Sequence, residues 1–218
     1  MGTMTDGFQP RVRVKICGIT NRADAEAAIE AGADALGFNA FPGSKRYFDF
    51  EKEADWLTQL PPFVMRVAVV VNPTVEEAER LLALPGIDLL QFHGDETPGF
   101  CARFARHGFI KALAARNRAT LETCRDYAAS AVLLDAYVPG AYGGTGQLID
   151  LQLAAEFVRE HPDRKVILSG GLTVDNVAEA VRAVRPWAVD VASGVEGETP
   201  RCKDRQKMRD FVQAVQGV

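Results

Sequence analysis

The sequence predicts a closed (β/α)8 TIM barrel of the α/β class, built as a single domain over residues 1–218, and three observations predict it. Eight short runs rich in β-branched and apolar residues alternate strictly with eight stretches of helical periodicity. The runs are nearly continuous in apolar residues, as strands of a parallel sheet covered by helices are. Spread over eight units, 218 residues leave roughly 27 each, enough for a barrel with few insertions. An open doubly wound sheet is the rival, and it more often stops at five or six strands.

The units follow in order. A strand over Val12–Cys17 leads to a helix over Arg22–Ala31, closed by Gly32. Ala35–Phe38 and Phe50–Gln59 form the second pair, Arg66–Val71 and Val75–Leu84 the third. Thr74, followed three residues later by Glu77, is a capping-box pattern at the third helix start, and Pro85-Gly86 stops that helix. Leu89–Phe92 with Gly99–Arg106 comes next, punctuated by Gly108, then Phe109–Leu113 with Ala119–Ala129. The last three units are Ala131–Asp135 with Leu151–Glu160, Lys165–Leu168 with Val174–Ala183, and Ala188–Ala192 with Lys203–Val215.

Composition narrows the function. The 25 basic and 29 acidic residues give a net charge of −4 with no basic block, which argues against a nucleic-acid partner. No apolar run approaches the roughly 18 residues of a membrane span. Residues 1–10 are polar, are expected to form a flexible extension, and lack the apolar segment of a signal peptide, so a cytoplasmic location is the expectation. Cys17, Cys101, Cys124 and Cys202 are irregularly spaced, which suits free thiols better than a zinc site or disulfide framework. The chain has three histidines, with His107 and His161 in helix or turn contexts, so no metal is expected.

In a barrel the active site lies at the C-terminal strand ends. Polar, glycine-rich words follow the strands there, whereas ordinary turn residues such as Ala33-Asp34 mark the opposite ends. Three glycine-dense words follow strands six, seven and eight: Gly143-Gly144-Thr145-Gly146, Gly170-Gly171 and Ser193-Gly194. Singly they read as turns; together they suit a phosphate, because glycine lets backbone N–H groups approach an anion. Gln147 stands where a Walker loop requires lysine.

Lys15-Ile-Cys-Gly-Ile-Thr20, Ser44-Lys-Arg-Tyr47, Leu90-Gln-Phe-His-Gly-Asp-Glu96, Leu133-Leu-Asp135 with Gly143 to Gly146, Ser169-Gly-Gly-Leu172 and Val189-Asp-Val-Ala-Ser-Gly-Val-Glu196 resemble the phosphoribosylanthranilate isomerase family of tryptophan biosynthesis. The resemblance spans about residues 11 to 215 and runs in the family's order. Asn39-Ala40, Phe92, Leu151 and Arg201 depart from the pattern; the last stands in place of a glycine. The resemblance implies an Amadori rearrangement of a phosphoribosyl substrate with no cofactor. It makes Cys17 the base, Asp135 the acid and Arg46 the holder of the anthranilate carboxylate. A guanidinium fork fits a carboxylate.

The strand period adds three candidates for substrate binding. Asp190 points inward, toward a sugar hydroxyl or into a barrel layer; His93 lines the pocket or anchors its loop; and the inward head of Gln91 needs a polar partner if buried. The acid–base assignment sets a problem of protonation. A thiol near 8.5 is only about 3% thiolate at pH 7, and an ordinary carboxylate costs about 4 kcal/mol to keep protonated there. Burial raises both, so the cysteine needs nearby donors or else reacts from a minor protonation state. Rival readings are a different sugar-phosphate isomerase or epimerase, and a non-catalytic barrel that senses a phosphoribosyl ligand. The related aminoaldose isomerase of histidine biosynthesis carries an aspartate where Cys17 stands, and binding alone would need neither Cys17 nor Asp135.

Overall fold

The computed structural model describes residues 11–137, 147–199 and 201–218. The expected N-terminal extension, and Gly143, Gly144 and Gly146, lie outside them. Eight parallel strands pair in sequence order: β1 (Arg13–Cys17), β2 (Ala35–Asn39), β3 (Met65–Val70), β4 (Leu89–Phe92), β5 (Phe109–Ala114), β6 (Ala131–Asp135), β7 (Val166–Leu168) and β8 (Ala188–Val191). The β1–β8 ladder closes the barrel, pairing Lys15 with Asp190.

Among the described residues eight α-helices follow the strands: α1 (Arg22–Glu30), α2 (Phe50–Glu53), α3 (Val75–Ala83), α4 (Pro98–Ala102), α5 (Arg118–Glu122), α6 (Leu151–Glu160), α7 (Val177–Val184) and α8 (Arg205–Gln216). Side-chain oxygens of Asn21, Asp49, Thr97, Asn117, Asp150 and Asp204 cap six of their starts, and Thr74 with Glu77 forms the capping box read from the sequence.

The helix ends are where the sequence reading and the structure differ. The Thr97 cap and Pro98 start α4 one residue earlier than predicted, and it gives way to turns after Ala102. The fifth stretch tightens into a 3-10 turn over Thr123–Asp126, where Thr123 Oγ1 donates back to the Thr120 carbonyl. Residues ahead of α7 are held as a turn because the Asn176 side chain accepts from Thr173 N and donates to Gly171 O.

Strand parity divides the barrel into two environments. Outward residues such as Val14, Ile16, Leu90, Phe92, Val132, Leu134, Val189 and Val191 pack with the helices in the main core. Inward residues split by height. Toward the N-terminal strand ends, Val67, Ile110, Ala131, Leu133, Ile167 and Ala188 form a second apolar cluster, open to a cavity of about 670 Å3. Toward the C-terminal ends the inward positions turn polar: Lys15, Cys17, Gln91, Asp135 and Asp190. The chemistry is confined to that end.

Candidate active site

Cys17 ends β1, half-buried. Lys15, two residues earlier and therefore on the same face, is 3% exposed, with Nζ 2.5 Å from Asp190 Oδ1. Ser169, after β7, donates to Asp190 Oδ2 at 3.2 Å. A buried ammonium and carboxylate satisfy each other here, where removing one partner would strand a charge. Burial works against the Lys15 charge, but Asp190 first and Cys17 second outweigh it, and its pKa lies above the ordinary lysine value. Burial pushes the Cys17 thiol up, while Lys15 pulls it back, Asp190 adds to the rise, and Lys203 lowers it again.

Lys203 precedes α8. Its Nζ donates to Ala192 O at 2.9 Å and lies 3.7 Å from Glu196 Oε1, and burial pushes its pKa down to about 8. Lys15 and Lys203 thus favour the ionised form of Cys17, against the burial that disfavours it.

Asp135 ends β6, which β7 and β8 separate from β1, so the carboxyl stands across the barrel mouth from the thiol. Its Oδ1 accepts from Ala136 N at 2.9 Å, and Oδ2 lies 3.1 Å from His93 Nε2. His93 Nδ1 in turn lies 2.8 Å from Gln91 Nε2. Gln91 is fully buried, so its polar head finds its partner in His93. His93 is carried by the loop after β4, which is braced from outside the sheet. Lys111 Nζ donates to Gly94 O at 2.7 Å and Glu96 Oε2 at 2.8 Å, and Glu96 accepts from Asn72 N and Gly94 N.

Arg46, in the loop after β2, is 6% exposed and lies against Gly18, where an added Cβ would come within 2.3 Å of Arg46 Cδ. That contact places it beside Cys17. Its Nε and Nη2 both donate to the Glu196 carboxylate, the second at 3.0 Å. Burial works to raise the Glu196 pKa, but the Arg46 hydrogen bond and then Lys203 outweigh it and hold the group below the ordinary glutamate value.

Gly170 and Gly171 adopt left-handed φ of 88° and 64° after β7, and Thr173 bridges in parallel to Gly194 in the loop after β8. Ser193 and Gly194 thus sit against the β7 loop, adjacent to the Asp190 end of β8.

The described candidates gather at one end of the barrel: Cys17, Arg46 and Asp190 on one side, Gln91, His93 and Asp135 on the other, and Gly170, Gly171, Ser193 and Gly194 in the loops after β7 and β8. Sequence reasoning gave no role to Lys15, Glu196 or Lys203. Lys15 carried a signal, as a lysine on the inward parity of an apolar strand two residues before the cysteine. The other two meet the site only through the fold of the last loop.

Comparison with known proteins adds an independent finding. The sequence profile of the N-(5'-phosphoribosyl)anthranilate (PRA) isomerase family matches residues 14–214. An N-(5'-phosphoribosyl)anthranilate isomerase from Thiobacillus denitrificans is 50% identical over 203 residues, 92% of this chain and 96% of the relative. The crystal structure of phosphoribosyl anthranilate isomerase from Thermotoga maritima superposes with a TM-score of 0.81 at 38% identity, covering 95% of this chain and all of the other. A further isomerase structure, in complex with reduced 1-(o-carboxyphenylamino)-1-deoxyribulose 5-phosphate, gives 0.78 at 38% identity, with the same coverage of both chains.

Proposed function

The chain belongs to the N-(5'-phosphoribosyl)anthranilate isomerase family and catalyses that isomerisation in tryptophan biosynthesis, and from this premise we propose which of its residues do the work. Asp135 is the acid and Cys17 the base. Asp135 protonates the furanose ring oxygen as the C1–O bond breaks and the nitrogen lone pair forms a C1=N iminium. Cys17, as thiolate, then takes the proton from C2. The electron pair left behind forms the enolamine, whose hydroxyl proton moves from O2 to C1 to give the aminoketose. One proton leaves the acid and one arrives at the base, so a single proton returned through solvent resets the pair. The product is the 1-(2-carboxyphenylamino)-1-deoxyribulose 5-phosphate skeleton, whose reduced form one related isomerase binds.

The observation that carries this reading is the placement of the two groups across one barrel mouth, each with its own polar neighbours. Lys15 and Lys203 favour the thiolate as it forms. Arg46 takes the anthranilate carboxylate, its guanidinium plane fixed by Glu196. Gly170, Gly171, Ser193 and Gly194 form the described part of the phosphate cradle. Gly143, Gly144 and Gly146, outside the described residues, complete it in this proposal. Asp190 bonds Lys15 and Ser169, so its work is to hold Lys15 beside the thiol. The reading places the enzyme in the cytoplasm: its base must stay a free thiol, all four cysteines are free, and a reducing compartment keeps them so.

The test replaces each group in turn. Cys17→Ser substitutes a hydroxyl that does not ionise usefully near neutrality, and Asp135→Asn cannot give up a carboxylic proton. Each should lower kcat at least about a hundredfold in a fluorescence assay of freshly made PRA, with Tm near the parental value. Parental turnover in either folded variant removes that residue from its role.

A further inference from the structure

The acid side holds a chain of contacts that substrate binding does not explain. Gln91 is completely buried, so it touches no substrate, yet its amide is aimed at the imidazole of His93. With the amide placed so that Gln91 Nε2 lies 2.8 Å from His93 Nδ1, the N–H donates and Nδ1 carries the lone pair; the reversed amide would make Nδ1 the donor. The imidazole proton is then on Nε2, facing Asp135 Oδ2 at 3.1 Å. This orientation leaves Gln91 Oε1 buried with no partner among the described residues. Turning the amide over would put the two donors of the NH2 group in that place, and orphaned buried N–H groups are rarer than orphaned oxygens. The fixed tautomer comes with one unpaired oxygen.

We propose that Gln91 and His93 are positioning residues for the ring-opening acid: Gln91 holds His93 as the Nε2–H tautomer, so that a fixed donor faces the Asp135 oxygen on which negative charge develops. The inference rests on the reading of Asp135 as the acid. As Asp135 passes its proton to the ring oxygen, its carboxyl becomes a carboxylate. A donor that was already in place stabilises that charge without reorganising. Ala136 N supplies a second such donor, to Oδ1. The tautomer matters because a bare Nε2 would oppose a lone pair to the forming carboxylate. Neither residue gains or loses a proton in the cycle. The loop braced by Lys111 and Glu96 keeps His93 in reach.

The experiment reads the tautomer and the rate together. The chain has three histidines, so 15N NMR of the imidazoles is tractable, and His93→Gln identifies the His93 signal by its loss. The parent should show His93 protonated on Nε2 with a bare Nδ1. Gln91→Glu places a carboxylate where the amide donated, so the proton should move to Nδ1. In that variant kcat should fall at least about tenfold, while KM stays within twofold because no substrate contact changes; a misoriented imidazole has large effects on rate elsewhere. Gln91→Met, close in shape and without polar atoms, should lower kcat with the same unchanged KM. A parent spectrum with the proton on Nδ1 overturns the proposal, and it needs no variant to fold. So does parental kcat in folded Gln91→Glu and Gln91→Met. Asp135→Asn separates the two claims: if it keeps parental turnover, the acid assignment falls. If it is inactive while both Gln91 variants turn over normally, only the positioning role falls.

Discussion

Arg201 adopts φ of 65°, a left-handed conformation that residues with a Cβ rarely occupy. It is also the position where the resemblance read from the sequence expects a glycine. The strain of about 1 kcal/mol is offset by a side-chain contact that glycine could not make. Arg201 Nη2 donates to Tyr47 O at 2.7 Å, tying the last loop to the loop that carries Arg46. Its own carbonyl accepts from Thr20 Oγ1 at 2.6 Å, reaching the loop after Cys17. Arg201→Gly should therefore leave Tm unchanged or slightly raised, while KM rises and kcat is retained. Thermal unfolding and steady-state kinetics on the same preparation check this, and a lower Tm with unchanged KM would refute the tether. At this scale the sequence was legible wherever a residue's position follows from its own strand. The placement of Cys17 and Asp135 at strand ends, and of Arg46 in the word after β2, was readable in this way, and the oddity at Arg201 was visible as a departure. Glu196 and Lys203 were not, because their partners Arg46 and Cys17 lie more than a hundred residues away and no local period connects them.

Strands were the most legible elements. Each required only a short apolar run, and β4 and β6 occupy the ranges the sequence predicts. Helix ends were less so, because side-chain bonds such as those of Thr97, Thr123 and Asn176 decide them. The loops after β7 and β8 form a unit that no run of sequence announces, since Thr173 and Gly194 bridge across it. Gly194 allows that approach: a Cβ there would lie 2.0 Å from Leu172 O, a backbone atom that cannot step aside. Gly194→Ala should separate the two loops and raise KM about tenfold, equivalent to ~1.4 kcal/mol of binding, with a smaller change in kcat. Substrate titration measures it, and KM within twofold of the parent would place the phosphate elsewhere.

For the molecule as a whole, a ligand of the native state stabilises it by mass action, so inorganic phosphate should raise Tm and inhibit competitively. At a hundred times its Kd the gain is about 2.7 kcal/mol, several degrees for a chain of this size. A scan with no shift at saturating phosphate would count against the cradle. The barrel's closure also has a consequence for how the protein comes into being. Lys15 and Asp190, which meet beside Cys17, are 175 positions apart, and β1 has no second neighbour until β8 exists. A ribosome therefore releases the first seven strands before the site can assemble. Until then β1 and β7 are open sheet edges, the surfaces most prone to pairing with another chain, and distant partners of this kind are slow to meet. A nascent chain halted before Ala188 should bear an unpaired Lys15, no activity and a dependence on chaperones that disappears once the last strand docks.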